Sequence, residues 1–431
     1  MPKTISLPRS LRGEITPPGD KSISHRAALL NSIAQGKARV TNFSPAVDCI
    51  STLTCLRALG VTIEQVSSVS GAIDIDGVGE EGLKEASDVL YAGNSGTTMR
   101  LLSGLLASQP FLSVVTGDDS LRSRPMERVV LPLRTMGANV WGRGNGSLAP
   151  LAIMGGKLHG IEYALPVPSA QVKSAILLAG LFADGETTIQ EPSKSRDHTE
   201  RLFQSMGVKL TVDDLRISLV PPDTVLDSLD IHVPGDISSA AYWLVGGAVH
   251  PNAQLRIRDV GINPTRSGVV DVLLRMGAKL RIENKRNAGG EPLADLLIES
   301  SDLIGVEIAG ELVPRLIDEI PVIAVAACLA KGDTVIRDAE ELRVKETDRI
   351  GNLVSELHVL GARIEEMSDG MIIHGGATLR GATCSSHYDH RMAMALGIAG
   401  LVADGETVIE DADVVEVSYP TFWRDLGGIT A

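Results

Sequence analysis

Residues 18–26 read PGDKSISHR, which places Lys21, Ser22, Ser24, His25 and Arg26 within six positions of one another, directly after a Pro-Gly pair. A glycine-containing turn that feeds a helix start presents unpaired N–H groups and the positive end of the helix dipole. Lys21 adds a mobile point charge, and Arg26 adds a planar fork suited to phosphate or carboxylate. The chemistry implied is the gripping of a small anion. Asp20 or Ser22 can serve as a plain N-cap here, but capping alone does not account for Lys21 and Arg26 together.

Seven further islands follow. AGNSGTTMRLLSG (92–104) has the small residues that let a backbone approach a ligand, ahead of a helix. No GKS or GKT follows, so it is not a P-loop. GDDSLRSRPMERVVLPL (117–133) sets Arg122, Arg124 and Arg128 around Pro125, which stiffens the loop; a solvated charged loop is the ordinary alternative. PVPSAQVKSAILLAG, from 166, puts Ser169, Gln171 and Lys173 before an apolar helix, either as contacts to a hydroxylated ligand or as a cap and a solvated face. SRDHTE (195–200) offers Arg196 and His198, as an anion contact or as a helix start capped by Ser195 or Asp197. LIDEIPVIAVAACLA (316–330) sets Asp318 and Glu319 before a wholly apolar helix. A carboxylate beside an apolar wall is placed to act as a general base, and helix-dipole stabilisation is the plainer role. ELRVKETDRIG (341–351) crowds Lys345, Glu346, Asp348 and Arg349, a run that usually marks a solvated ion-pair helix. HYDHRMAMALGIAG (387–400) puts His390 and Arg391 before an uncharged helix. Its two histidines at i, i+3 have no third ligand nearby, so no metal is expected. One design recurs in both halves: polar and cationic residues at the start of an apolar helix. Two facing domains built this way would make an anion-lined cleft.

The elements that must position these groups belong to a chain of 431 residues, long enough for two domains. Hydrophobic residues make up 44% and charged residues 22%, as in ordinary globular proteins. Aromatics are only 3%, which argues against base-stacking platforms, and a formal charge of -14 argues against nucleic acid or an anionic membrane as partner. The four cysteines, Cys49, Cys55, Cys328 and Cys384, form no CxxC pair and read as reduced, mostly buried thiols of a cytoplasmic protein. MPKTISLPRS lacks the apolar stretch of a secretory leader. No apolar run reaches the roughly 18 residues of a membrane span.

A repeat organises the chain. LGVTI at 59, MGANV at 136, MGVKL at 206, MGAKL at 276 and LGARI at 360 each read as a helix stop followed by a strand, and LGGIT at 426 is a weak copy. QGKARVTN at 35, DGETTIQE at 184, KGDTVIRD at 331 and DGETVIED at 404 each read as a glycine turn and then a strand, with HPNAQLRIRD at 250 a looser member. The near-even spacing gives about six mixed α/β or α+β units, which can pack as three plus three with a ligand cleft between two similar domains. PGDKS at 18 and PGDIS at 234 are near-duplicates at the two domain entries. The second lacks Lys and Arg and is read as keeping only the turn.

In order along the chain, PGDKSISHR, GNSGTTMR, RPM, SAQVKSA, SRDHTE, LRVKETDR and DHRMAM resemble the motifs of the 5-enolpyruvylshikimate-3-phosphate synthases, and the resemblance covers essentially the whole chain. It implies two similar domains, each of three repeated βαβαββ-type units in an inside-out α/β barrel. Residues 1–14 and 236–431 are then one domain, which takes in the N-terminal strand, and 15–235 the other. The reaction implied belongs to the shikimate pathway of chorismate and aromatic amino acid biosynthesis. Phosphoenolpyruvate and shikimate 3-phosphate give the enolpyruvyl ether and phosphate, with no cofactor and no metal, in a protein expected to be a monomer. Carried over by motif, the catalytic residues are Asp318, Lys21 and Glu346. Asp318 is the base on the attacking 5-hydroxyl, and Glu346 with Lys21 handles proton transfer at the methylene carbon. Shikimate 3-phosphate is assigned Lys21, Ser22, Arg26, Ser169, Gln171, Arg196, Asp318 and Lys345. Phosphoenolpyruvate is assigned Lys21, Gly96, Arg124, Gln171, Arg349 and Arg391.

Three positions depart from the more familiar pattern. Val417 and Ser418 stand where some members carry Lys, Glu341 stands where some carry Asn, and Leu101 follows Arg100 where others have Pro. These features resemble the divergent, often glyphosate-tolerant branch, although Gly96 is retained. Two rival readings are a UDP-N-acetylglucosamine enolpyruvyl transferase, whose usual loop Cys is missing from GDDSLRSRP, and a non-catalytic anion-binding protein of the same fold.

Overall fold

The structure, a computed structural model, describes residues 1–69, 71–79 and 82–430. The chain divides into two compact units: Gly19–Val233 with Asn287–Glu291, and Met1–Pro18 with Pro234–Arg286 and Pro292–Ala431.

The glycines of the five strong repeat signals end helices as their placement predicts. Gly60, Gly137, Gly207, Gly277 and Gly361 all take positive φ. They follow helices Val47–Ala58, Glu127–Thr135, His198–Ser205, Gly268–Arg275 and Arg349–Val359. Each is followed by a strand: Thr62–Gln65, Asn139–Gly142, Leu210–Asp213, Lys279–Ala288 and Arg363–Met367. A left-handed residue after the last turn satisfies orphan carbonyls, and glycine adopts it without a Cβ clash. The weak sixth copy behaves differently, because Gly427 and Gly428 lie inside helix Phe422–Ile429.

Each repeat yields a small sheet on one plan. In the Gly19–Val233 unit, Leu90–Tyr91 runs parallel to Leu112–Thr116, which pairs antiparallel with Leu148–Met154, which pairs antiparallel with Asn139–Gly142. Glu162–Ala164, Thr187–Gln190, Arg216–Leu219 and Leu210–Asp213 repeat that order. In a third four-stranded sheet of the unit the parallel partner of Gln35–Thr41 is Ile231–His232, which joins the unit's two ends. The other unit contains the same order over Glu307–Ile308, Asp333–Ile336, Gly370–His374 and Arg363–Met367. Its other two sheets each take in an N-terminal strand. Leu11–Ile15 lies parallel to Ala253–Gly261, and Lys3–Ser6 lies antiparallel to Glu406–Glu410.

The helices behind the sheets are buried nearly all round and mainly apolar along their bodies, as helices enclosed by a core tend to be. One unit encloses Lys21–Ile33, Gly96–Leu106 and Ala170–Gly180; the other encloses Ile237–Val249, Ile320–Leu329 and His390–Gly400. All six begin at a polar island. Helices Gly96–Leu106 and Ala170–Gly180 pack so closely that a Cβ on Gly104 would lie 2.2 Å from the Ala175 carbonyl oxygen.

Two glycine substitutions separate backbone strain from packing. Nothing lies within 4 Å of the Cβ position of Gly207, whose φ is +81°. Gly207→Ala therefore bears only the left-handed penalty of about 1–2 kcal/mol, and Gly207→Asn bears less. Gly104→Ala, which must push a pair of packed helices away from each other, is expected to lose more stability than either in urea unfolding.

Candidate active site

In the unit built on Gly19–Val233, Asp20 caps the Lys21 helix by accepting from Ile23 N at 2.9 Å. That leaves Lys21 and Ser22 on the first turn. Lys21 Nζ meets Asp48 Oδ2 at 2.8 Å, on the first turn of helix Val47–Ala58. Arg26 is buried, and three of its N–H donors are directed into the protein. Nε donates to Thr199 Oγ1 at 2.7 Å, Nη1 to the Ser22 carbonyl at 2.9 Å and Nη2 to Ser174 Oγ at 2.6 Å. Burial draws its pKa down to about 10, with Glu200 the main opposing charge.

His25 has a structural position rather than an anion contact. Its Nδ1 lies 2.7 Å from Thr52 Oγ1, Thr52 Oγ1 lies 2.7 Å from Thr98 Oγ1, and Thr98 lies 2.7 Å from Ser95 Oγ. This chain ties together the starts of three helices that carry Lys21, Asp48 and Gly96. Burial pushes the His25 pKa down to about 3, Asp48 opposes the fall, and Lys21 and Arg26 add to it.

The Gly96 helix starts beside a second group. Ser95 caps it, accepting from Thr98 N at 3.1 Å. Arg124 Nη2 donates to Asn94 Oδ1 at 2.7 Å and to Ser120 Oγ at 3.1 Å. Gln171 accepts from Arg100 Nη1 at 2.5 Å and donates to Thr97 Oγ1 at 3.0 Å. A Cβ at Gly96 would stand 2.9 Å from Arg100 Nη1 and 3.7 Å from Arg124 Nη1, so two guanidinium groups converge on that glycine. Ser169 caps the Ala170 helix, accepting from Val172 N at 3.4 Å, and Arg196 is half-buried. Arg122 instead donates to the Gly117 carbonyl at 2.8 Å, and Arg128 is exposed.

The other unit gathers Asp318, Arg349, Arg391 and Glu346. Asp318 carboxylate oxygens lie 3.7 Å from Arg349, 3.8 Å from Arg391 and 4.0 Å from Arg266. Arg391 Nη1 also donates to the Asp318 carbonyl at 3.2 Å. Arg349 is 1% exposed; its Nε meets Asp389 Oδ2 at 2.7 Å and its Nη2 meets Glu346 Oε2 at 2.6 Å. Burial works against the Arg349 charge, but Asp389 and Glu346 outweigh it and raise the pKa. Burial likewise opposes the Arg391 charge, and Asp318 leads the groups that raise it. Lys345 lies beside Glu341, Nζ to Oε1 at 3.6 Å. Glu319, next to Asp318, is wholly buried; Ser238 Oγ donates to it, and Arg266 Nη1 lies 3.6 Å away. Burial raises its pKa, with Arg266 pulling back and Asp318 adding to the rise.

The match to known proteins follows this geometry. Residues 5–426 fit the family model described as EPSP synthase (3-phosphoshikimate 1-carboxyvinyltransferase). The chain belongs to the EPSP synthase family. It is 55% identical over 426 residues to the 3-phosphoshikimate 1-carboxyvinyltransferase of Herpetosiphon aurantiacus, covering 98% of each chain. It is 54% identical over 429 residues to that of a Roseiflexus species, covering 99% of this chain and 98% of the relative. Its fold superposes on the EPSP synthase of Acinetobacter baumannii with a TM-score of 0.91 at 45% identity, covering 100% of this chain and 98% of that one.

Among EPSP synthase motif residues, several partners escaped the sequence reading. Arg100 and Asn94 lie inside the 92–104 island, where their types alone give no sign of the Gln171 and Arg124 contacts they make. Asp389 precedes His390 and Arg391, yet its grip on Arg349 spans 40 residues. Asp48 and Arg266 lie in stretches without a cationic cluster, so only the fold reveals them. The reading of 341–351 as a solvated ion-pair helix holds for Arg343, which bridges Asp348 and Glu366, and fails for buried Arg349. Lys173, read as a ligand contact or a solvated face, is neither; it is 1% exposed and held between Glu191 and Glu200. The second Pro-Gly copy keeps more than its turn, because Ser238 also accepts from Arg266 Nη2 at 2.7 Å.

Neutral His25 gives a pH signature. An unfolded chain protonates this imidazole below about pH 6.5, whereas the folded chain resists until about pH 3. The unfolded state binds more protons in that window, so stability rises with pH across it and is lost on acidification, by up to about 1.4 kcal/mol per unit. Urea unfolding at pH 4 and pH 6.5 should show a smaller difference for His25→Gln than for the parent.

Proposed function

We propose that these clusters serve one reaction, with the site residues in the roles that their motifs imply. The chain transfers the enolpyruvyl group of phosphoenolpyruvate to the 5-hydroxyl of shikimate 3-phosphate and releases inorganic phosphate. The observation that carries the assignment of roles is the setting of Asp318. It is a carboxylate of low exposure, aimed by Arg349, Arg391 and Arg266, at the start of an apolar helix.

In this reading Arg124, Arg349 and Arg391, with Lys21, Gln171 and the Gly96 helix start, take the carboxylate and phosphate of phosphoenolpyruvate. Ser169, Gln171, Arg196, Lys345, Lys21, Ser22 and Arg26 orient shikimate 3-phosphate. Orientation of two anionic reactants converts a bimolecular encounter into an effectively unimolecular step. Asp318 takes the 5-hydroxyl proton as that oxygen bonds to C2 of phosphoenolpyruvate. Lys21 and Glu346 supply a proton to the methylene carbon, giving a tetrahedral adduct. Loss of a proton from the resulting methyl group, with departure of phosphate, restores the double bond. Lys21 beside Asp48, and Glu346 beside Arg349, each have a charged partner that can steady the group as it exchanges a proton.

Work as a monomer in the cytoplasm completes the proposal. Four buried, unbridged cysteines support the reducing compartment. Among the described residues no helix is long and apolar enough to cross a membrane.

Phosphate release from phosphoenolpyruvate, assayed in EDTA, tests the substrate assignment. Release is expected with shikimate 3-phosphate and not with UDP-N-acetylglucosamine; the reverse pattern would transfer the assignment to the aminosugar transferases. Asp318→Asn keeps the shape and removes the base, so kcat should fall by about 10²–10⁴ with a smaller change in either KM. An unchanged kcat would remove Asp318 from the base role.

A further inference from the structure

Lys173 lies in the SAQVKSA motif, and unlike Ser169 and Gln171 it has no part in the reaction. It is buried on the Ala170 helix, and its ammonium meets Glu191 Oε2 at 2.9 Å and Glu200 Oε1 at 2.6 Å. All three side chains are at most 5% exposed. A buried ion cluster is poor evidence for stability alone, because apolar residues of similar volume often do as well. What this one touches is informative. Glu191 directly follows the strand Thr187–Gln190, and its Oε1 accepts from Ser195 Oγ at 2.5 Å. Ser195 immediately precedes Arg196.

The sequence neighbours of the cluster point the same way. Ser174 follows Lys173, and Thr199 precedes Glu200. Their hydroxyls lie 2.6 Å apart and accept two of the three Arg26 donors described above. The ion pair and the hydroxyl pair thus join the Ala170 and His198 helices side by side, with Arg26 against the hydroxyls. Glu200 is also the main charge opposing the loss of the Arg26 proton. The cluster forms one wall of a pocket of about 200 Å³ lined mostly by charged and polar groups, among them Lys194, Asp197, Arg201 and Gln204. On that side the 191–197 segment is held largely by polar contacts: Glu191 to Lys173 and Ser195, Asp197 to Arg201, and the Glu191 N–H to the Leu215 carbonyl.

We propose that Lys173, Glu191 and Glu200, acting through Ser195, Ser174 and Thr199, are positioning residues for shikimate 3-phosphate. They hold Arg196, Arg26 and the Ser169–Gln171 helix start in one arrangement. This rests on the substrate assignment above, and none of the three touches substrate. Phosphoenolpyruvate draws mainly on other helix starts, so the effect is selective.

Steady-state phosphate release by the full chain tests it, comparing the parent with Ser195→Ala, Ser195→Thr, Glu200→Gln and the neutral triple variant Lys173→Met/Glu191→Gln/Glu200→Gln. The KM for shikimate 3-phosphate should rise about tenfold in Ser195→Ala and Glu200→Gln, the loss of one charge-assisted hydrogen bond. The KM for phosphoenolpyruvate and kcat should stay within about twofold. Ser195→Thr should restore the parental value, and a folded triple variant should show the raised KM. A parental KM in Ser195→Ala, or parallel changes in both KM values and kcat, would overturn the proposal, and the Ser195 arm decides it even if the triple variant does not fold. If the parent itself releases no phosphate, the substrate reading fails first. Calorimetry of shikimate 3-phosphate with the parent and Ser195→Ala then judges positioning, and absent binding to the parent or equal affinities would overturn it.

Discussion

A cationic side chain withdrawn from water against an apolar helix is costly without a carboxylate beside it, and both units are arranged to meet that condition. Removing an ion from water costs several kcal/mol even after relaxation. Arg349 meets the condition through Asp389 and Glu346, Arg391 through Asp318 and, in the other unit, partly buried Lys21 through Asp48. Each carboxylate does more than neutralise. Asp389 also caps the His390 helix, accepting from Arg391 N at 2.8 Å, and so aligns two arginines at once. The cations that attract anionic substrates are thereby held in few rotamers before any substrate arrives, which lowers the entropy cost of binding.

The helix starts explain why these groups lie where they do. A helix enclosed by sheets must be apolar along its body, so its first turn is the place where polar side chains and free N–H groups remain available. Among the described residues six such starts are enclosed, three in each unit; PGDKSISHR, GNSGTTMR, SAQVKSA and DHRMAM lie at four of them, while SRDHTE and LRVKETDR lead into helices His198–Ser205 and Arg349–Val359. The near-duplicate Pro-Gly entries show how one frame takes two uses. Asp20 and Asp236 cap their helices alike, accepting from Ile23 N and Ser238 N. The first turn that follows Asp20 carries Lys21, whose partner carboxylate Asp48 stands on helix Val47–Ala58. The one that follows Asp236 carries Ser238 within an Arg266–Glu319 cluster.

Much of the architecture was legible because it rests on local chemistry. A left-handed glycine after a helix is a property of a few residues, and five of the repeat signals were read correctly on that ground alone. LGGIT misled because its glycines have no obligation to end the helix; Gly427 and Gly428 need no positive φ. The site was legible as a set of residue types and less so as a set of partners. Lys173 shows the reason. A lysine among polar residues at a helix start reads as accessible, and only the packing of Glu191 and Glu200 around it makes it interior.

The sequence by itself determined the repeat, the helix stops, the polar starts of the apolar helices and the motif residues, since each depends on neighbours within a turn or two of chain. Tertiary structure alone decided which carboxylate meets which cation. The Arg349–Asp389, Lys21–Asp48 and Arg266–Glu319 pairs join residues 40, 27 and 53 positions apart. Such partners are chosen by the cost of leaving a charge unpaired inside a packed unit, and that cost exists only once the chain has folded around it.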